Sequence, residues 1–106
     1  MATTKSEKKV QTEIMKEIKA AGWYVIKVIK ANESGVHDLL ACINGLFISI
    51  EVKAERFTAD PFKQASAWQK KHYRLVIDAN GIAMVIASVE QFKQTLIQHQ
   101  VNLVKI

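Results

Sequence analysis

A small α/β domain is the fold class that this sequence predicts, with the element order αβββαβα and a mixed β-sheet flanked by helices. Three observations predict it. Two runs of strand character meet at Asn44-Gly45, the dipeptide that most strongly marks a two-residue hairpin turn. Ahead of them, Val10, Ile14, Ile18 and Ala21 recur at helical spacing. Behind them, a helical stretch leads through Asn80-Gly81 into a short apolar strand and a last helix. A crossover of that kind is right-handed as a rule and sets the strand after it parallel to a hairpin strand.

The elements follow in chain order. Residues 6–21 form the first helix, capped by Ser6 and ended by Gly22. Residues 23–29 form a strand rich in aromatic and β-branched side chains. A polar connection, 30–35, leads to the hairpin. Residues 54–61 form a loop, and Pro61 suits the first turn of a helix that runs to residue 78. Residues 82–87 form a strand. Ser88 caps a helix from 89 to about 99, with Gln91 placed as its capping-box partner. Residues 101–106 are a last strand or a partner-contacting extension. With no repeat or low-complexity segment, residues 1–106 read as one domain.

The turn at Asn44-Gly45 sets the register. Ile43 faces Leu46, Ala41 faces Ile48, and Asp38 faces Glu51; Lys53 follows Glu51 on the same face. Leu39, Ala41, Ile43, Leu46, Ile48, Ile50 and Val52 make the opposite face wholly apolar, so it must be buried. Asp38 and Glu51 could be the solvated ends of an amphipathic hairpin. Leu40, Cys42 and Phe47 share their face, however, which predicts a cover over that face near the turn as well. Like charges opposed on a strand pair are destabilising. Two carboxylates facing each other at the rim of a covered sheet call for a cation, and hard oxygen donors suit Mg²⁺ or Mn²⁺.

Composition bounds the function without choosing it. Fifteen Lys and Arg against ten Asp and Glu give a formal charge of +5, compatible with a polyanionic partner. The lone Cys42 excludes an intrachain disulfide and points to a reducing, cytoplasmic setting. No apolar run approaches a membrane span, and the polar N-terminal residues 1–9 lack the apolar stretch of a secretory signal. None of the three His has metal-ligand spacing, and no Ser-His-Asp set, phosphate-binding Gly-rich loop or Zn site is present.

Gly35-Val36-His37-Asp38, a hydrophobic strand, a turn and Glu51-Val52-Lys53 together resemble the PD-(D/E)XK nuclease superfamily, with its restriction-endonuclease-like core. More closely they resemble the virus-type replication-repair nuclease (VRR-NUC) domains, and the resemblance spans almost the whole chain. Many relatives carry Pro before the Asp; His37 stands there in this chain, a change expected to loosen the approach to the strand while sparing the ligand.

The resemblance implies a metal-dependent endonuclease acting on DNA, with branched forms such as Holliday junctions as the implied substrates. Asp38, Glu51 and the Val52 carbonyl would hold one or two Mg²⁺ or Mn²⁺ ions, and Lys53 would serve the reaction. A Glu early in the first helix joins the site in relatives. Glu7, on the Val10-Ile14 stripe, matches it, with Glu13 as the alternative; a frayed first turn is the bland reading of Glu7. Relatives also place a Gln on the helix after Glu-x-Lys. Gln69 and Gln64 both fit, and we take Gln69 for its spacing to Asn80-Gly81.

Among the basic residues, Lys30 and Arg56 bracket the hairpin and are the expected phosphate contacts; Lys63, Lys70, Lys71 and Arg74 form a further set. Trp68, His72 and Tyr73 are read as helix–sheet core or a dimer contact before base stacking. Stand-alone domains of this size in the family tend to be homodimers, of viral or mobile-element origin, which would place the protein in a host cytoplasm. An apolar face on Phe92, Leu96 and the 101–106 tail would serve the dimer. A non-catalytic nucleic-acid-binding module, or a subunit needing a partner protein, are the competing readings.

Overall fold

The computed structural model describes residues 4–103. Helix α1 (Glu7–Ala20) is followed by β1 (Tyr24–Lys27), β2 (Leu39–Ile43) and β3 (Leu46–Val52), then α2 (Ala67–Asp78), β4 (Ile82–Ile86) and α3 (Val89–Gln98). The four strands form one mixed sheet in the order β1-β2-β3-β4. β1, β2 and β3 are antiparallel neighbours, and β4 lies parallel to β3 as the crossover predicts.

The hairpin register is the expected one: Ile43 pairs with Leu46, Ala41 with Ile48 and Leu39 with Ile50. It is set at the turn, where Asn44 and Gly45 both adopt positive φ (53° and 80°), as a type I′ turn requires. The ladder stops at Leu39. Asp38 thus lies just outside β2 rather than on it, free of the strict geometry of a strand pair.

Alternation then sorts the side chains. Leu39, Ala41, Ile43, Ile48, Ile50 and Val52 join Ile82, Met84 and Ile86 on one face, with Val10, Ile14 and Ile18 of α1 and Phe92 and Leu96 of α3 in the same core. Each of these side chains larger than Ala41 contributes roughly 1.5–3 kcal/mol on burial. Phe92 and Leu96 are wholly enclosed, so the dimer face expected on them does not exist. They lie on the stripe that α3 needs to bury its own apolar side. Val101 is buried too, Leu103 packs against the core, and no strand forms over 101–103; the rest of the tail lies outside the described residues.

The other sheet face is covered by α2, chiefly over β3 and β4. The start of α2 lies over Glu51 and its end beside Phe47, so the cover expected near the turn is only partial there. Cys42 and Phe47 are exposed near the turn, whereas Ser49 and Glu51 are buried.

Two boundaries differ from the sequence reading. β1 is shorter, Tyr24–Lys27, because its partner strand begins only at Leu39. Pro61 does not start the long helix but precedes a single 3₁₀ turn, Phe62–Gln64; α2 begins at Ala67 behind the N-cap Ser66. Ser66 and Gln69 form a capping box, each side chain bonded to the other residue's amide. Ser6 and Ser88 cap α1 and α3 as expected, but Gln91 reaches back to the Ala87 amide rather than to that of Ser88. No helix among the described residues is long and apolar enough to cross a membrane.

Candidate metal centre

Asp38 is placed by two strands at once. Its carbonyl accepts from the Val28 amide at 2.8 Å, and its Oδ2 accepts from the Val52 amide at 2.9 Å. Glu51 lies on β3, 1% exposed, on the face that α2 covers. Lys53 leaves the end of β3 with its amide bonded to the Ile86 carbonyl at 2.8 Å. The predicted approach of Asp38, Glu51 and Lys53 is therefore present in the fold, and Lys53 Nζ stands 3.3 Å from Glu51 Oε2.

Glu7 arrives by a separate route. The Lys5 carbonyl accepts from the Glu55 amide at 3.0 Å, and Glu55 Oε1 accepts from the Lys5 amide at 3.1 Å. This reciprocal pair fastens the start of α1 to the segment just after Lys53. Glu7 is exposed rather than buried in the helix stripe, a correction to the sequence reading; it reaches the site from the rim. Carboxylate oxygens of Glu7, Asp38 and Glu51 all lie within 4.8 Å of one another. Glu13 is turned elsewhere, paired with Lys5 at 3.0 Å.

The two candidate glutamines differ in position. Gln64 is exposed in the 3₁₀ turn. Gln69 is the third residue of α2, and its amide serves the helix and the site together. Oε1 accepts from the Ser66 amide at 2.9 Å and from Lys53 Nζ at 3.1 Å, while Nε2 donates to Glu51 Oε2 at 3.0 Å. Two donors on Oε1 leave one orientation of the amide. The sequence Ser66-Ala67-Trp68-Gln69 fits the capping-box pattern and was the signal that would have picked Gln69 directly.

His37 and Ser49 were not predicted at the site. His37 is fully buried, with Nε2 2.9 Å from the Gln69 carbonyl and Nδ1 2.7 Å from Ser49 Oγ. A carbonyl only accepts, so Nε2 carries the proton; neutral imidazole then accepts from the Ser49 hydroxyl through Nδ1. Burial lowers the His37 pKa below its usual value, the same direction. The expectation that His37 loosens the approach to Asp38 is thus reversed. Standing next to Asp38, it ties β3 to the first turn of α2.

Electrostatics single out Glu51. Burial, and then the charge of Asp38, push its pKa up to about 8, against the opposing pull of Lys53. Burial and Asp38 also raise Glu7. Glu51 Oε2 has two donors, but Oε1 is buried with no hydrogen-bond partner. A buried unpartnered carboxylate oxygen beside two further carboxylates fits a hard divalent cation such as Mg²⁺ or Mn²⁺: the ion would supply both the missing partner and the missing charge.

Lys30 and Arg56 are exposed; Arg56 lies in the turn after Lys53, its guanidinium 4.6 Å from the Phe57 ring centroid. Trp68 is exposed and takes no part in the helix–sheet core, whereas Tyr73 packs edge-on to Phe62 with centroids 5.1 Å apart.

No protein-family model and no curated protein sequence matches the chain. A solved structure described as a VRR_NUC domain superposes on 90% of this chain and 97% of its own, with TM-score 0.70 and 24% identity. The chain has a VRR_NUC-like fold. Within that likeness, the mixed sheet and its flanking helices correspond to the architecture expected from Gly35-Val36-His37-Asp38 and Glu51-Val52-Lys53.

Proposed function

We propose that this protein is a metal-dependent endodeoxyribonuclease that hydrolyses phosphodiester bonds. The observation that carries the reading is the cluster of Glu7, Asp38 and Glu51 carboxylates, in which Glu51 keeps one buried oxygen, Oε1, without a hydrogen-bond partner while its Oε2 stands beside the Lys53 ammonium. The VRR_NUC-like fold supports it.

Asp38, Glu51, the Val52 carbonyl and Glu7 would hold Mg²⁺ or Mn²⁺. Such an ion, when bound, supplies a Lewis acid that acidifies water and offsets the charge of the scissile phosphate. Lys53 then orients the attacking water or stabilises charge developing on the phosphate. Gln69 keeps Lys53 and Glu51 at their separation, holding one with each end of its amide. Lys30 and Arg56 contact phosphates of the flanking backbone. The products carry 5′-phosphate and 3′-hydroxyl ends.

Branched DNA, such as a Holliday junction, is the proposed substrate, and a homodimer making paired incisions is the proposed assembly. That dimer uses a surface other than Phe92 and Leu96, which belong to the core.

Cleavage of a labelled four-way junction, a linear duplex and a single strand, with Mg²⁺, Mn²⁺ or EDTA, tests the reading. Metal-dependent junction cutting by the wild type and none by Asp38→Ala is the expected result. Binding without cutting in either metal would replace the nuclease with a binding module or a subunit that needs a partner. Equal cutting of all three would retain the chemistry and remove the junction preference.

A further inference from the structure

The outer face of α2 combines two features that the proposed metal centre does not use. Trp68 is 58% exposed, although an indole is among the side chains with most to gain from burial. It is not loosely held: the Gly35 backbone lies so close to that of Trp68 that a Cβ on Gly35 would fall 2.3 Å from the Trp68 carbonyl carbon. The indole is therefore displayed from a fixed stretch of helix, one residue before Gln69 of the metal centre.

The second feature is charge. Ala67, Lys70, Lys71, Arg74 and Leu75 line one groove, the i, i+3, i+4, i+7, i+8 stripe of the helix. It carries three cations, and the only acid in α2 is Asp78 at its far end. Lys71 Nζ lies 5.4 Å from the Trp68 ring centroid, and Lys70 Nζ lies 5.2 Å from that of Phe62. Glu33 of the adjoining loop faces His72, at 3.5 Å, rather than these lysines. Exposed lysines on a helix are ordinarily just solvated. An exposed indole beside them, carried on a tightly packed turn of helix, is not explained by solvation.

We propose that this face binds an unpaired, single-stranded stretch of nucleic acid, with a base stacked on Trp68 and its phosphates along Lys70, Lys71 and Arg74. Stacking needs an open π-face, which a base inside a duplex does not present, whereas phosphates need cations spaced along a groove. The assignment rests on the nuclease reading only for bringing such a strand to the metal centre. It adds a substrate feature: DNA with an unpaired flank is held beside the site.

The test is made in EDTA, where binding is read without cleavage. In a Trp23→Phe background, emission comes from Trp68 alone, since the chain has two Trp. An oligodeoxythymidylate is expected to quench it, and a blunt duplex to quench it far less. By anisotropy, Trp68→Ala is expected to bind the oligonucleotide about 5- to 100-fold more weakly. Each of Lys70→Gln, Lys71→Gln and Arg74→Gln should reduce the slope of log affinity against log salt by about 0.7. All four side chains sit on an exterior groove or are exposed, and circular dichroism verifies that each variant folds. Oligonucleotide binding with no quench, unchanged affinity in Trp68→Ala, or equal quenching by duplex would each overturn the proposal. Absence of cleavage in Mg²⁺ would remove the nuclease reading and leave these binding results standing.

Discussion

The imidazole of His37 donates from Nε2 to the backbone carbonyl of Gln69, 2.9 Å away, and so joins the residue before Asp38 to the helix turn that carries the site's glutamine. Its other nitrogen is bonded to Ser49 on β3. Removing one partner of a buried pair leaves the other unsatisfied, at a cost of about 1–3 kcal/mol. Ser49→Ala is expected to destabilise by that amount, and His37→Ala by about 2–4 kcal/mol, since it also opens a cavity. Urea denaturation measures both. Unchanged stability in Ser49→Ala would mean that the Nδ1 bond contributes nothing.

Glu51 and His37 tilt the pH dependence of the metal-free protein in opposite directions. Glu51 titrates at about 8 in the folded state, against an ordinary value of 4.5, so the folded protein holds a proton that the unfolded chain releases between them. Stability from this group is present at low pH and is lost as pH rises from 4.5 through 8, by at most about 1.4 kcal/mol per pH unit. His37 is shifted down from 6.5, so its contribution is present above pH 6.5 and is lost as pH falls through the folded value. Denaturation across pH should show the alkaline loss disappear in Glu51→Gln and the acid loss disappear in His37→Asn.

Metal should reverse the alkaline trend. A cation displaces the Glu51 proton, so Mg²⁺ or Mn²⁺ in EDTA-treated protein should raise the melting temperature more at about pH 8 than at about pH 6. Asp38→Asn and Glu51→Gln should abolish the rise. Lys53→Met should keep it yet lower kcat by about 100- to 1,000-fold, the scale of one lost electrostatic donor in a preorganised site. A rise that survives Asp38→Asn would place the ion elsewhere.

Two glycines separate strain from crowding. Gly45 adopts φ 80°, and a Cβ added there would meet nothing within 4 Å, so Gly45→Ala carries backbone strain alone, about 1–2 kcal/mol. Gly35 adopts φ 83° and would drive its Cβ into the Trp68 backbone, so Gly35→Ala should cost more, about 3 kcal/mol or above. Thermal denaturation of the pair gives the order. Equal losses would show that α2 shifts freely.

What the chain determined by itself was local. Asn44-Gly45 dictates a tight turn, and the turn dictates the register that brings Asp38 toward Glu51 and Lys53, because strand alternation allows no other pairing of the apolar face. Helix periodicity and the capping serines Ser6 and Ser88 did the same for α1 and α3. Tertiary structure decided whatever depended on how elements meet. Glu7 joins the acidic cluster because Lys5 and Glu55, fifty residues apart, share two hydrogen bonds. Gln69 rather than Gln64 reaches Glu51 because Ser66 caps a helix that starts at Ala67, a choice written locally but given its meaning only when α2 docks on β3. His37 read as a lost proline until burial against Ser49 and Gln69 made it a clasp, and Phe92 and Leu96 read as a free face until α3 closed on the core. Periodicity along a chain states which side chains share a face; only packing states what that face meets.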